Sequence, residues 1–273
     1  MFENVGDLQA LDDAVVALSA LREVAPIGLP ERVEAVENLG VLLRLRFERL
    51  GDLDDITRSV EAHREVLAIL SPDDPTYPRQ QAQLASALMP RGVATTDRGD
   101  CEEALGLWQD ALAALPPGHP DAGRHRQLVG VGLSVRAEVF GSLPHRNAAV
   151  AFWRAALGTT EPGSPQRFIA REMLGANLLG RFAEFTADAD LAEALAVARD
   201  ALADAGPEHR LQATRSLCSA LDARFRRFGV REDLDELIEQ GEVVLHLMPA
   251  EHPDRPAHEQ GMVHARALRD DRA

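Results

Sequence analysis

The chain is predicted to be all-α, an α-solenoid of stacked antiparallel helix pairs built on a repeat of about 45 residues. Three observations predict it. The sequence matches itself at a fixed offset, its apolar residues keep helical i, i+4 spacing, and no segment alternates with the two-residue period of a strand. Units of this kind bury an apolar face only by stacking on their neighbours.

From Val15, steps of 45 lead to Val60, Leu105, Val150 and Leu195, and a last step of 43 leads to Ile238, all apolar. One residue earlier stand Ala14, Ser59, Ala104, Ala149 and Ala194, small side chains that let helices approach closely; Leu237 is the exception. These registers belong to the second helix of each pair, helix B. Helix A carries Leu39, Leu84, Val129, Leu174 and Leu217, each followed four residues on by Leu43, Leu88, Leu133, Leu178 and Leu221, which marks one helix face. Pro30, Pro75, Pro120, Pro165 and Pro253 recur where helix A begins, a position whose N–H would lack an intrahelical partner anyway.

The spacing therefore predicts B helices over 8–24, 53–70, 100–115, 146–157, 191–205 and 234–247. The A helices are expected over 30–49, 77–95, 120–140, 165–185, 208–228 and 253–269. Residues 1–273 read as one repeat domain with half-repeats at both ends, a B helix without its A and an A helix without its B. Solenoid ends need polar cover. Arg266 to Arg272 could solvate one end, whereas Met1 and Phe2 offer none, which leaves a contact between copies through uncapped ends open.

Composition narrows the function. Of the 273 residues 45% are hydrophobic but only 4% aromatic, too few for base-stacking platforms, and 44 acidic side chains outweigh 29 basic ones to give a net charge of −15. No nucleic-acid partner is expected, since that needs a concentrated basic face. The basic residues are all Arg, a bias suggesting a GC-rich genome. With neither a long apolar run nor a leader pattern, no membrane partner and a cytoplasmic location are expected. Cys101 and Cys218 lie far apart without CxxC spacing and read as helix-packing residues.

The registers resemble the tetratricopeptide repeat (TPR), in which helix A carries Leu-Gly and a following bulky residue, and helix B two Ala before a Pro. Here these are Leu39-Gly40 with Leu43, Val129-Gly130 with Leu133, and Leu174-Gly175 with Leu178; helix B offers Ala104 and Ala111 before Pro116, and Ala194 and Ala201 before Pro207. The resemblance implies a right-handed superhelix with a concave, helix-A-lined binding face. The period exceeds the usual 34 residues, and the family's helix A Trp and Tyr are absent. A narrower resemblance runs from Arg46 to Ile56, with echoes from Arg181 to Leu191 and from Arg224 to Glu236. It is similar to the repeats beside CHAT caspase-like peptidase domains in actinobacteria, without any match to the His-Cys dyad. That implies a regulatory or recognition array of a larger assembly.

An Arg followed nine residues later by an Asp is the most regular polar feature: Arg46 and Asp55, Arg91 and Asp100, Arg181 and Asp190, Arg224 and Asp233. These read as structural pairs across the A to B turn, with the acid also suiting a helix N-terminus. If exposed, such pairs contribute about 0–1 kcal/mol each. Arg136 has His145 at that spacing, so it reads as the unpaired arginine best placed for a ligand. His258-Glu259 with His264 lacks the i, i+4 histidines of a zinc helix, and no nucleophile elbow, phosphate loop or dinucleotide fingerprint occurs, so no metal, no cofactor and no enzymatic activity are expected.

Offsetting helix A from its packing face maps the concave surface. Its rows read Glu34, Arg79, Arg124, Ile169, Gln212; then Glu37, Ala82, Gln127, Glu172, Arg215; then Val41, Ser86, Val131, Ala176, Ser219; then Arg44, Met89, Ser134, Leu179, Asp222. Arg44, Arg79, Arg124, Gln127, Glu172 and Arg215 are the candidate peptide-binding residues, with the arginines placed to hold an acidic or C-terminal carboxylate. The expected function is a non-enzymatic protein- or peptide-binding scaffold, part of a larger signalling or peptidase assembly. The alternatives are a small-molecule receptor or enzyme with its site in the superhelical cavity, or a self-assembling scaffold.

Overall fold

Glycine and aspartate make the first sharp turn. Gly51 (φ 71°) ends a helix in the left-handed region with its N–H on the Phe47 carbonyl at 2.8 Å, and Asp52 at once caps the next by accepting from the Asp54 N–H. Corners of the same kind follow at Thr96, Thr186 and Gly229. The computed structural model describes residues 5–116 and 118–270, with side chains from Leu8 onward. Among them lie twelve helices and no strand: α1 Val5–Val24, α2 Pro30–Leu50, α3 Leu53–Ile69, α4 Tyr77–Thr95, α5 Arg98–Ala113, α6 Ala122–Phe140, α7 Leu143–Thr159, α8 Pro165–Phe185, α9 Asp188–Asp204, α10 Pro207–Phe228, α11 Arg231–Leu247 and α12 Arg255–Asp270. Even-numbered helices are the A type and odd-numbered ones the B type. None is long and apolar enough to cross a membrane.

The chain divides into two compact units, Met1–Val139 and Phe140–Ala273. In the first, successive helices from α1 through α5 pack on one another and α2 also meets α4; in the second, α7 through α12 do the same and α8 also meets α10. This is the helix-pair stacking of an α-solenoid within each unit. Both registers are its core. Val15, Val60, Leu105, Val150, Leu195 and Ile238 are buried, as are both leucine series of helix A. Met262 continues the first A register in α12 and is buried, but the second continues as Arg266, which is exposed and bonded to Glu242 of α11 at 3.0 Å.

Several B helices begin a turn before their apolar register, at Arg98, Leu143, Asp188 and Arg231 rather than at 100, 146, 191 and 234. The first turn has no need of apolar groups: Asp97 and Ser142 cap α5 and α7, and Asp188 and Glu232 suit the positive end of the helix dipole. Conversely, α6 and α12 begin two residues after Pro120 and Pro253. The expectations for Met1, Phe2, Asp271 and Arg272 lie outside the described residues.

Close approach explains some glycines and not others. A Cβ on Gly40 would lie 2.6 Å from the fully buried His63 ring, one on Gly132 would lie 2.7 Å from Trp108, and one on Gly241 would overlap the Met262 sulfur. Gly175, part of the TPR resemblance, meets nothing within 4 Å. The His63 ring nitrogens have no partner, so burial, with Arg44 adding to it, depresses the imidazole pKa to about 4.

Candidate binding groove

Each Arg to Asp spacing closes as a side-on bidentate pair. Nε of Arg46, Arg91, Arg181 and Arg224 donates to Oδ2 of Asp55, Asp100, Asp190 and Asp233 at 2.6–2.7 Å, and Nη2 donates to the other oxygen. All four aspartates are buried. The figure for exposed pairs therefore does not apply: stripping a buried pair of one partner costs about 3–5 kcal/mol. The hydrogen bond that Arg46 donates to Asp55 is the largest influence raising the Arg46 pKa further, and Asp12 of α1 accepts from the same guanidinium at 3.0 Å.

Arg136 is not the unpaired member of this ladder. It donates to Glu102 of α5 at 2.8 Å, 34 residues back, the step by which Arg46 reaches Asp12 and Arg181 reaches Asn147. A partner in the preceding B helix is invisible to a search for acids nine residues ahead.

The predicted concave residues divide between the units. On α2 and α4, Arg44 bonds Glu48 one turn on, and Arg79 reaches back to Glu37, so both cations are already matched. On α6, Gln127 is half-buried and Arg124 is exposed with no ion pair among the described residues. In the second unit Glu172 is buried, its Oε2 accepting from Gln212 at 3.0 Å and from Ser216 at 2.6 Å, while Oε1 has no partner. Arg215 donates to Asp254 at 3.0 Å. Two of these contacts, Arg79 to Glu37 and Gln212 to Glu172, join one mapped row to another.

A further arginine set lies outside the sequence expectations. Nη1 of Arg32, Arg167 and Arg255 donates to carbonyls ten and seven residues back, at the end of the preceding B helix: Arg22 and Ala25, Leu157 and Thr160, Leu245 and Met248. These satisfy last-turn carbonyls that lack intrahelical partners. Pro-x-Arg at Pro30, Pro165 and Pro253 is the signal that could have found them.

Two concavities flank α10 in the second unit. An open groove of about 560 Å³ runs between α8 and α10, with Leu179, Phe182, Ala183 and Ala223 along it and Asp222, Arg226 and Arg227 on its rim. A deeper cleft of about 630 Å³ lies among α10, α11 and α12. Leu179, Arg215, Ser219 and Asp222 of the mapped rows line these two spaces. Burial pushes the Cys218 thiol in the cleft up to about 12, which keeps it protonated and a poor nucleophile. No group of three metal-ligating side chains occurs among the described residues.

Comparison with solved structures returns other helical repeats. The chain is similar to a crystal structure of a Podosopora anserina putative kinesin light chain with nearly identical TPR-like repeats, at 17% identity over 70% of this chain and 86% of that one, with a TM-score of 0.46. A variant of that protein matches at 18% identity over 70% of this chain and 85% of that one, also at 0.46. No protein-family model and no curated protein matches the chain.

Proposed function

We propose that the chain is a non-enzymatic, cytoplasmic module that holds a peptide segment of a protein partner against its A-helix faces. The observation that carries this reading is the open groove between α8 and α10, where half-buried Leu179 and Phe182 and exposed Ala183 lie beside a charged rim. Apolar anchors ringed by polar groups are what a bound peptide needs. In the first unit Arg124 is the cation to receive a peptide carboxylate, with Arg79 and Gln127 nearby in the mapped rows. Arg44, Glu172 and Arg215 shape the face through their internal partners. The narrower proposal, a CHAT-type peptidase assembly of an actinobacterium as the larger system, rests on the Arg46 to Ile56 similarity and its echoes.

Selection of a random peptide library on the purified chain, followed by fluorescence anisotropy, tests the reading. Selected peptides should bind saturably and weaken about tenfold or more on Leu179→Asp, the loss expected of an interface anchor. Acid-bearing peptides that engage the first unit should instead weaken on combined Arg79→Glu and Arg124→Glu. Peptides indifferent to both variants would overturn the groove assignment.

A further inference from the structure

The cleft among α10, α11 and α12 differs in kind from the groove beside it. It lies between the A helices α10 and α12, and the opening reaches down to Leu234 and Leu237 of the B helix behind them. Its walls are the inner side chains of a core cluster: Phe225, Leu234, Met262 and Ala265 with Leu237 and Leu268. About 630 Å³ lies within the usual range of ~300–1,000 Å³ for small-ligand sites.

The walls dictate the body of the occupant. Phe225, Leu234, Leu237, Met262 and Leu268 offer no hydrogen bonds, and the Ser219 hydroxyl at the edge already donates to the Arg215 carbonyl. A polypeptide backbone descending there would leave its amides unsatisfied, at a cost of several kcal/mol by the usual scale of ~2–7 per group. An alkyl or aryl body incurs no such cost.

The mouth dictates the head. Arg215 from α10 engages Asp254 through one nitrogen, Nη2, at 3.0 Å, which leaves the rest of its fork available. Half-buried His258 on α12 lines the same mouth; Arg215 on α10 and Asp254 and His252 before α12 are the charged and titratable groups that act on it. Burial, then Arg215, lowers its pKa, so the imidazole is neutral until an anion arrives. At the other end Asp222 is taken on both oxygens by Arg226. One carboxylate thus faces a guanidinium and a protonatable imidazole, and a second carboxylate balances the mouth.

We propose that this cleft binds a small amphipathic monocarboxylate, its carboxylate at Arg215 and His258 and its apolar body against Phe225, Leu237, Met262 and Leu268. The cleft borders the peptide groove at Ser219, Asp222 and Arg226, but its apolar walls and its mouth of Arg215 and His258 are its own.

The test is calorimetric titration of the full chain with dodecanoate below its micelle concentration, with dodecanol and dodecylamine as controls. Dodecanoate should bind saturably near one per chain, and both controls about tenfold or more weaker, since a charge-assisted head contact is at stake. Arg215→Gln should bring dodecanoate down to the level of dodecanol. Ala257→Trp, at an exposed position on the cleft wall, should abolish binding of both while thermal unfolding stays unchanged. Absence of saturable dodecanoate binding, or binding indifferent to Ala257→Trp, would overturn the proposal. So would saturable binding of an acidic apolar peptide in the cleft with no response to dodecanoate, which would give the cleft to a protein partner.

Discussion

Helices α10 and α12 share a repeat register but not a packing result. Leu217 and Met262 both insert toward a B helix, the second into the space that Gly241 leaves open. One turn on, Leu221 of α10 is fully buried while Arg266 of α12 is exposed. Between α8 and α10 lies a shallow groove, and between α10 and α12 a deeper cleft that reaches the B helix behind. Elsewhere both registers pack on the preceding B helix, Leu39 and Leu43 with Val15 and Leu217 and Leu221 with Leu195, whereas α12 keeps only the first.

The largest effect expected follows from that difference. Leu178→Ala removes a fully buried second-register side chain and should cost about 4 kcal/mol by urea unfolding, within the range for Leu to Ala in cores. Arg266→Ala should change stability by no more than about 0.5 kcal/mol, because its pair with Glu242 is exposed. Equal losses would refute the difference between α12 and the earlier A helices at this register.

The closed hairpins owe their geometry to buried aspartates, so the next effect concerns those. Arg224→Ala strands the buried Asp233 carboxylate and should cost about 3 kcal/mol, whereas Glu193→Ala in the exposed pair with Arg154 should cost less than about 1 kcal/mol. A double-mutant cycle on each pair separates the two cases.

His63 sharpens the comparison within the first unit. It occupies the register that holds Trp108 and Trp153 in later repeats, and only it can titrate. Its folded pKa of about 4 lies below the unfolded value of 6.5, so the unfolded state takes up the proton first. Stability is complete above pH 6.5 and falls as the pH drops toward 4, by about 2 kcal/mol at pH 5. Urea midpoints at pH 7 and pH 5 should diverge in the wild type, and that part of the divergence should vanish in His63→Leu.

Helix existence and facing were legible because the registers recur through the chain; 77–95 and 165–185 match α4 and α8 at both ends. Helix starts were less so, since capping residues at Asp97 and Ser142 lie outside the apolar pattern. The Arg to Asp spacing was legible as pairs across a turn, but the burial of the aspartates was not. Partners in neighbouring helices escaped for the same reason: Arg79 meets Glu37 and Arg136 meets Glu102 only once the helices are stacked. The cleft was least legible of all, because it depends on the spacing of two helices rather than on any residue's identity.

The smallest effect tests the corners that make the pairs. Gly51 and Gly229 take the left-handed conformation freely, whereas Thr96 (φ 56°) and Thr186 (φ 53°) hold it with β-branched side chains. That conformation costs a non-glycine residue about 1–2 kcal/mol, and glycine's greater freedom when unfolded gives back about 0.5–1. Thr186→Gly and Thr96→Gly should therefore each stabilise the chain by about 0.5–1 kcal/mol, read as a higher urea midpoint at unchanged slope. Gly229→Thr, the reverse change at the equivalent corner, should lower the midpoint by a similar amount. If the two directions fail to mirror each other, the corners are not equivalent and the hairpins owe their shape to the Arg to Asp pairs alone.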